Sequence, residues 1–413
     1  MSMNMKFNHP VEIPMSKNIA FDWIGGRIVP VDENMKGDTH PLTWADDDNI
    51  YAGTGDPCWM MKDGKTYRNN PERGGWGESK ETYDAMSGQV FEKFTGNPDE
   101  SGSFAVERIH DMPGFIGPGG SGPKPCGMIC VDGKIYYAVQ NLLGYKTPPN
   151  RKKSQHGSDA TILCSGDYGK TWTPDLNSLL AEFTAEQYIG GPVDGSDWKT
   201  TQEERSGYKG WQPMFPGYKF GGLSFVQFGK NNGDAVDEYV YAISGDQWDN
   251  GKNLTLGRVL KDKIMDRESW EFASVSNSND FAVPVWHKSI GDAKPILEIE
   301  GHIGLPEMVY IKSLKKYILL IWSLHTDFRT PTGSELTILE SDNVYGPFSL
   351  VHYEWMWYNR ECCGYTPRIP LKWFNYESNE GYILHSGNWE TQEPYYRPQL
   401  RKFKFILRTD NCR

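Results

Sequence analysis

Apolar and polar residues alternate along this chain in short runs broken by tight turns, the period-two signature of half-buried β-strands, and the runs come in pairs. The first pair is a hairpin: a strand from Pro41 to Ala45, a turn on Asp46, Asp47, Asp48 and Asn49, and a return strand from Ile50 to Thr54. The second runs from Cys126 to Val131, turns on Asp132, Gly133 and Lys134, and returns from Ile135 to Gln140; an Asp-Gly turn between apolar runs is a strong hairpin signal. A strand from Ala160 to Cys164 follows it. Further pairs join Leu223–Phe228 to Glu238–Ser244, Met308–Ile311 to Tyr317–Trp322, and Arg368–Phe374 to Tyr382–Ser386. Outer strands are expected at Asn253–Val259, Ser269–Ala273, Leu336–Ser341 and Gln399–Leu407, with a helical turn over Lys261–Asp266. Ahead of them all, Ile19–Trp23 and Arg27–Val31 read as two short strands, and residues 1–18 as an irregular lead-in.

Five units of unequal length thus share one order: inner strand, short polar turn, strand rich in Tyr, Ile and Val, polar terminus, outer strands. A unit of this kind must stack its apolar face on a neighbour. The pattern therefore predicts an all-β fold, a five-bladed β-propeller occupying residues 19–413 as a single domain. The polar, glycine-rich stretch 58–122 reads as a long loop insertion forming a lid or wall of the site. Six or seven blades follow if it, or Thr184–Tyr218, hides further strands. The octet Ser165–Trp172 fits S-x-D-x-G-x-T-W, the Asp-box of sialidase-like and other β-propellers, in which Asp167 would hold a turn and Trp172 pack beneath it.

Composition agrees with a turn-rich β-protein, with 13% aromatic residues, 44 Gly and 26 Pro. The net charge of -11 speaks against nucleic acid, although it leaves room for a local basic pocket for an acidic sugar. No stretch approaches the roughly 18 apolar residues of a membrane helix, and the first residues lack the apolar segment of a signal peptide. The expectation is a secreted or periplasmic protein whose signal peptide is absent from this chain, with a cytoplasmic location as the alternative. The seven cysteines form no zinc-type doublet, so no metal site is expected from them; Cys126 and Cys130 suit core packing.

In a propeller, the residues just before each inner strand and just after each returning strand gather at one mouth. Asp38 and Asp56 flank the first hairpin and so share one sheet edge, the arrangement that acid/base chemistry on a glycosidic bond needs. Glu307 is a third candidate carboxylate. Substrate contacts are expected from His40, Trp59, Lys124, Gln140, Asn141, Asp246, Trp248, His302, Tyr365, Arg368 and Trp389, a mixture of cations, amides and aromatics suited to a ligand covered in hydroxyls. The sequence lacks H-E-x-x-H, Walker and G-x-S-x-G motifs. No cofactor is expected. The run Asp46, Asp47, Asp48 reads as a solvated turn, a structural Ca2+ being the alternative.

Certain stretches resemble a known family. They are Asp38-x-x-Pro-Leu-Thr-Trp-Ala-Asp-Asp-x-x-Ile-Tyr with Gly55 and Asp56, Phe228–Asn231 followed by Asp237–Tyr241, and Leu256–Ile264 with Asp266 and Arg267. They resemble a domain family long catalogued as of unknown function, some of whose members are glycoside hydrolases, among them endo-D-arabinanases of mycobacteria and their phages. The likeness spans roughly Asp38 to Phe272, and what it implies is a propeller acting on carbohydrate, with catalytic carboxylates at Asp38 and Asp56. Glu340–Phe348 is similar to an outer-blade segment common in five-bladed furanosidases and xylosidases. Three functions are open at this level. They are a glycoside hydrolase; a polysaccharide lyase with His302 or a Tyr as base and Arg368 or Lys124 neutralising a uronate; and a non-catalytic carbohydrate-binding propeller.

Overall fold

The computed structural model describes residues 9–28, 37–55, 61–62, 65–66, 87–100, 104–113, 124–140, 157, 159–175, 213–275, 283–326, 332–358, 364–387 and 396–408. The chain is an all-β propeller of five blades, its only helical segments among the described residues being single 3-10 turns. The first strand, β1 (Ile19–Ile28), belongs to the last blade. Blade 1 begins with β2 (Leu42–Trp44) and β3 (Ile50–Gly55). Past a two-stranded ribbon of β4 (Met61–Lys62) and β5 (Lys65–Thr66), β6 (Ser87–Thr95) and β7 (Ala105–Pro113) complete it. Blade 2 holds β8 (Lys124–Val131), β9 (Lys134–Gln140) and β10 (Thr161–Ser165). Blade 3 holds β11 (Gly222–Phe225), β12 (Tyr239–Gly245), β13 (Gly251–Leu260), β14 (Glu271–Val275) and β15 (Pro284–His287), with β16 (Leu297–Ile303) also paired to β13. Blade 4 runs β17 (Glu307–Ile311), β18 (Lys316–Leu324), β19 (Ser334–Ser341) and β20 (Ser349–Tyr358). Blade 5 consists of β21 (Tyr365–Arg368), β22 (Glu380–Ser386), β23 (Gln399–Leu407) and β1, so the two ends of the chain close the ring.

Three expectations change. The stretch 58–122 carries β6 and β7, which fill out blade 1 rather than adding a blade. These strands were hidden because Gln89 and Glu92 turn inward, which blurs the apolar alternation. Ile19–Ile28 is one strand with a register shift between Trp23 and Arg27, where Gly25 and Gly26 absorb the irregularity. The inner strand of blade 5 begins at Tyr365, three residues before its expected start, and ends at Arg368, after which Pro370 leads into a 3-10 turn over Leu371–Trp373.

Blades hold together through their faces. Tyr51 and Phe91 of blade 1 pack on Met128, Tyr137 and Leu163 of blade 2; Ile50 and Phe94 pack on Tyr382, Leu384 and Leu400 of blade 5. Between blades 3 and 4, Ile243, Leu254 and Leu256 meet Leu319, Ile321 and Leu339. In the octet, Asp167 closes the turn by accepting from the Thr171 N–H at 2.9 Å and its hydroxyl at 2.7 Å, while Trp172 lies edge-on to Phe91 at 4.7 Å.

At the end of the blades away from Asp38, turn bonds to turn around the whole ring. Tyr168 donates to Asp46, the Gly133 N–H to Asn231, Lys312 to Asp234, Ser313 to Asn379, and Lys372 to Asp48. Lys230 also pairs with Asp48 at 3.3 Å. The Asp46–Asp48 run is thus a fastening between blades. Each such exposed contact contributes little alone.

The inner strands converge on one side chain. Arg368, 2% exposed, donates from Nε to the Thr39 carbonyl at 3.4 Å, and from Nη1 to Ser224 Oγ at 3.1 Å and the Pro306 carbonyl at 3.3 Å. Its Nη2 reaches the Cys126 carbonyl at 3.5 Å, and Nε lies 3.5 Å from Glu307 Oε2. One guanidinium in blade 5 therefore touches each of the other four blades. Burial pushes the Glu307 carboxyl up to about 7 against the opposing pull of Arg368, while Glu307 Oε1 accepts from the Ile369 N–H at 3.2 Å. Removing one partner of such a buried pair strands the other, at a cost of about 3–5 kcal/mol. Arg368→Met should therefore lower unfolding free energy by about that amount in urea titration; a midpoint equal to wild type would mean that the axis holds without it.

Candidate active site

The hairpin geometry brings Asp38 to the mouth. Asp38 and Gly55 exchange backbone hydrogen bonds, each 2.9 Å, just beyond β2 and at the end of β3. Asp56, next along the chain, lies outside the described residues. A Cβ at Gly55 would stand 2.9 Å from Pro125 Cδ and 3.1 Å from Asp38 Oδ1, so glycine is what lets the carboxylate lie against β3 and blade 2. Asp38 is 6% exposed, and its Oδ2 accepts from the Tyr365 hydroxyl at 3.2 Å and the Tyr396 hydroxyl at 3.3 Å. Its backbone carbonyl accepts from the His40 N–H at 2.9 Å and the Thr39 hydroxyl at 2.8 Å. Thr39 and His40 both sit in the left-handed region, at φ 66° and 37°, a strained conformation for side-chain-bearing residues.

Behind Asp38, a buried chain runs from His40 Nδ1 to Thr54 Oγ1 at 3.0 Å, and the Thr54 hydroxyl donates to Glu92 Oε2 at 2.8 Å. Because that hydroxyl's single proton goes to Glu92, His40 Nδ1 carries the proton it shares with Thr54. Burial holds the imidazole neutral, its pKa lowered to about 3; the Gly37 carbonyl opposes this and the Arg368 charge reinforces it.

The remaining sequence candidates divide. Lys124 opens β8 and pairs across the sheet with Gln140, which is completely buried. Tyr365 is joined by Trp248 and Trp322, ring centroids 5.5 and 5.6 Å away, so Trp248 is packed in an aromatic cluster behind Asp38. Asp246 closes the β12–β13 turn: Oδ1 accepts from the Lys252 N–H at 3.0 Å and Oδ2 from Asn253 Nδ2 at 2.8 Å. Glu307 and Arg368 form the axial pair. His302 lies between blades 3 and 4, where Nδ1 bonds to the buried Glu335. Glu335 also accepts from the Ser323 and Tyr353 hydroxyls, each at 2.5 Å; burial would raise its pKa, but His302 and these donors hold it below the ordinary range. Trp59, Asn141 and Trp389 lie outside the described residues.

Sequence reasoning missed Tyr396, Gln89, Thr54, Glu92 and Glu335. Gln89 and Glu92 fall in the stretch read as a loop, and Tyr396 sits in the connection before β23 with only its aromatic character as a signal. Among the described residues no group of His, Cys, Asp and Glu could hold a metal ion, and no helix is long and apolar enough to cross a membrane.

No family model matches the chain, and no curated protein matches it. Solved structures similar to it include a putative hydrolase from Bacteroides ovatus, 14% identical with a TM-score of 0.47 over 89% of this chain and 85% of the other. An alpha-L-arabinofuranosidase from Podospora anserina, solved in complex with cellotriose, is 11% identical with a TM-score of 0.43 over 94% and 98%. An endo-arabinase from Bacteroides thetaiotaomicron is 10% identical with a TM-score of 0.39 over 91% and 97%.

His40 and Glu307 give opposite pH dependences. His40, lowered from 6.5 to about 3, contributes stability present above pH 6.5 and lost as pH falls toward 3. Glu307, raised from 4.5 to about 7, contributes stability present below pH 4.5 and lost as pH rises through 7. Glu307→Gln should accordingly make Tm fall more steeply than in wild type on acidification from pH 6.5 to 4.5. Superimposable Tm profiles over that window would contradict the raised carboxyl.

Proposed function

We propose that this propeller is a glycoside hydrolase whose working pair is Asp38 and Asp56. The observation that carries the reading is the Asp38 carboxylate, buried at the mouth edge, held by the Tyr365 and Tyr396 hydroxyls, and paired through its backbone with Gly55, the residue before Asp56. Two carboxylates leaving one sheet edge can act on opposite sides of a glycosidic bond. Two hydroxyl donors on Oδ2 suit an ionised carboxylate, the form that serves as base or nucleophile, and leave Asp56 the role of acid. Carboxyl separations of about 5–5.5 Å go with retention of configuration and about 6.5–9.5 Å with inversion. In this reading Glu307 holds the axis with Arg368 and stays outside proton transfer. The substrate is a polysaccharide or oligosaccharide, and no metal or cofactor takes part.

The His302–Glu335 pair favours one other reading. A buried carboxylate bonded to Nδ1 leaves Nε2 as the nitrogen that can accept a proton, the form a polysaccharide lyase would use to abstract the proton beside a uronate carboxylate. Incubating the protein with plant, algal and mycobacterial polysaccharides, while following reducing ends and ultraviolet absorbance together, separates the two. Reducing ends without absorbance support the hydrolase; absorbance from an unsaturated product moves the assignment to His302; silence on both channels counts against either enzyme.

On whichever polymer yields reducing ends, Asp38→Asn and Asp56→Asn should each lower kcat by about 10²–10⁴-fold with the fold intact by circular dichroism. Activity close to wild type in either variant removes that residue from the chemistry. Tyr365→Phe and Tyr396→Phe should each lower kcat roughly 10–100-fold with little change in KM, the value of one hydrogen bond to a charged group.

A further inference from the structure

The first hairpin changes register next to the candidate carboxylate. Leu42 pairs with Ala52, and the Gly53 N–H, donating to the Pro41 carbonyl at 3.0 Å, continues that register toward the mouth. Asp38, however, pairs with Gly55. From Leu42 back to Asp38 the chain advances four residues, while from Ala52 to Gly55 it advances three. One extra residue is therefore bulged into this strand at Thr39 and His40, whose φ angles of 66° and 37° are left-handed. In unbroken register Thr39 would face Gly55. The bulge puts Asp38 there instead, with Oδ2 in reach of the Tyr365 and Tyr396 hydroxyls.

Left-handed backbone on two residues that carry side chains persists only where its surroundings hold it. Arg368 bonds the Thr39 carbonyl, and the His40 ring supplies a second anchor. That ring is completely buried, and its Nδ1 meets Thr54 Oγ1 on β3 at 3.0 Å. The Thr54 hydroxyl donates to Glu92 on β6 at 2.8 Å. Since Thr54 pairs with Val90 and Glu92 with Ala52, the two stand diagonally on one face of the sheet. An ionised carboxylate only accepts, so Glu92 draws the Thr54 proton and leaves that oxygen to accept from Nδ1–H. The chain thus runs in one direction, from the bulge into the strands of blade 1. The same face otherwise carries Leu42, Ile50, Ala52 and Phe94, where apolar side chains would pack without desolvating a charge. Stability alone gives no reason for a polar chain there.

We propose that His40 and Thr54, oriented by Glu92, are positioning residues for Asp38: their hydrogen-bonded chain holds the bulge that sets the carboxylate against its two tyrosines. The catalytic consequence rests on the glycoside hydrolase reading, whereas the placement of Asp38 does not. In this role all three act through the backbone of residues 38–40.

The test uses Thr54→Val, which keeps the side-chain shape and removes the hydroxyl, and Thr54→Ser, which keeps the hydroxyl. Histidine 15N NMR of the wild type, with the His40 signals identified by their loss in His40→Gln, should show a neutral ring protonated on Nδ1 at pH 7. A ring protonated on Nε2 instead overturns the chain, whether or not any variant folds. In crystal structures, Asp38 Oδ2 should leave hydrogen-bond reach of Tyr365 and Tyr396 in Thr54→Val and stay within it in Thr54→Ser. An Asp38 in Thr54→Val superimposable on that of the wild type also sinks the proposal. On any polymer that the wild type hydrolyses, Thr54→Val should lower kcat about 10–100-fold with KM little changed, and Thr54→Ser should restore it. A merely structural hydroxyl would instead lower Tm and leave kcat per folded molecule at the wild-type value, which counts against positioning. If the wild type hydrolyses none, the hydrolase reading falls, and the tautomer and the crystal structures still decide what places Asp38.

Discussion

A planar cation buried on the propeller axis is the constraint on which the rest of the molecule depends. Arg368 offers five N–H donors in a fixed fork, and its surroundings answer with carbonyls of Thr39, Cys126 and Pro306, the Ser224 hydroxyl and the Glu307 carboxylate. Lysine could not reach so many blades at once. Desolvating a charge is costly, so the guanidinium demands that all five inner strands stand at the right distance and register. The same charge acts on the mouth above it: it helps keep His40 neutral, so the group behind Asp38 is a fixed dipole chain rather than a second cation.

The candidate site is where the molecule departs from easy local solutions. Thr39 and His40 adopt left-handed backbone beside Asp38, and Gln89 and Gln140 bury amide atoms that find no partner. Such features persist only when the surroundings over-determine them. Here the over-determination is visible: the Asp38 carbonyl takes three donors, Arg368 bonds the Thr39 carbonyl, and apolar packing closes the blade faces on both sides. Local cost at the mouth is offset by close packing between blades.

Much of this architecture was legible in the residues. Apolar runs bounded by tight polar turns announce themselves, so the first hairpin, the β8–β9 hairpin and the outer strand Leu336–Ser341 fall close to where the pattern puts them, and the closure of the first hairpin places Asp38 beside Gly55. The signal fails where polar side chains are buried, which is why β6, with Gln89 and Glu92 turned inward, read as loop. Partners distant in sequence were harder still. Nothing local to Arg368 tells that it reaches Ser224, nothing near Tyr396 that it bonds Asp38, and the polar character of Asp246 and His302 does not distinguish a residue turned to the mouth from one bound to its own turn or to Glu335.

The ring closes through β1 lying beside β23, and this bears on how the protein comes into being during synthesis. β1 has no strand of its own sheet to join until β21 to β23, more than 300 residues later, emerge from the ribosome. Asp38 appears early, but the tyrosines that orient it, and the arginine that sets the spacing of the blades, belong to the final part of the chain. The nascent polypeptide therefore carries its candidate carboxylate long before it carries the means to position it, and the geometry around Asp38 is set in a single late event, with the completed circle.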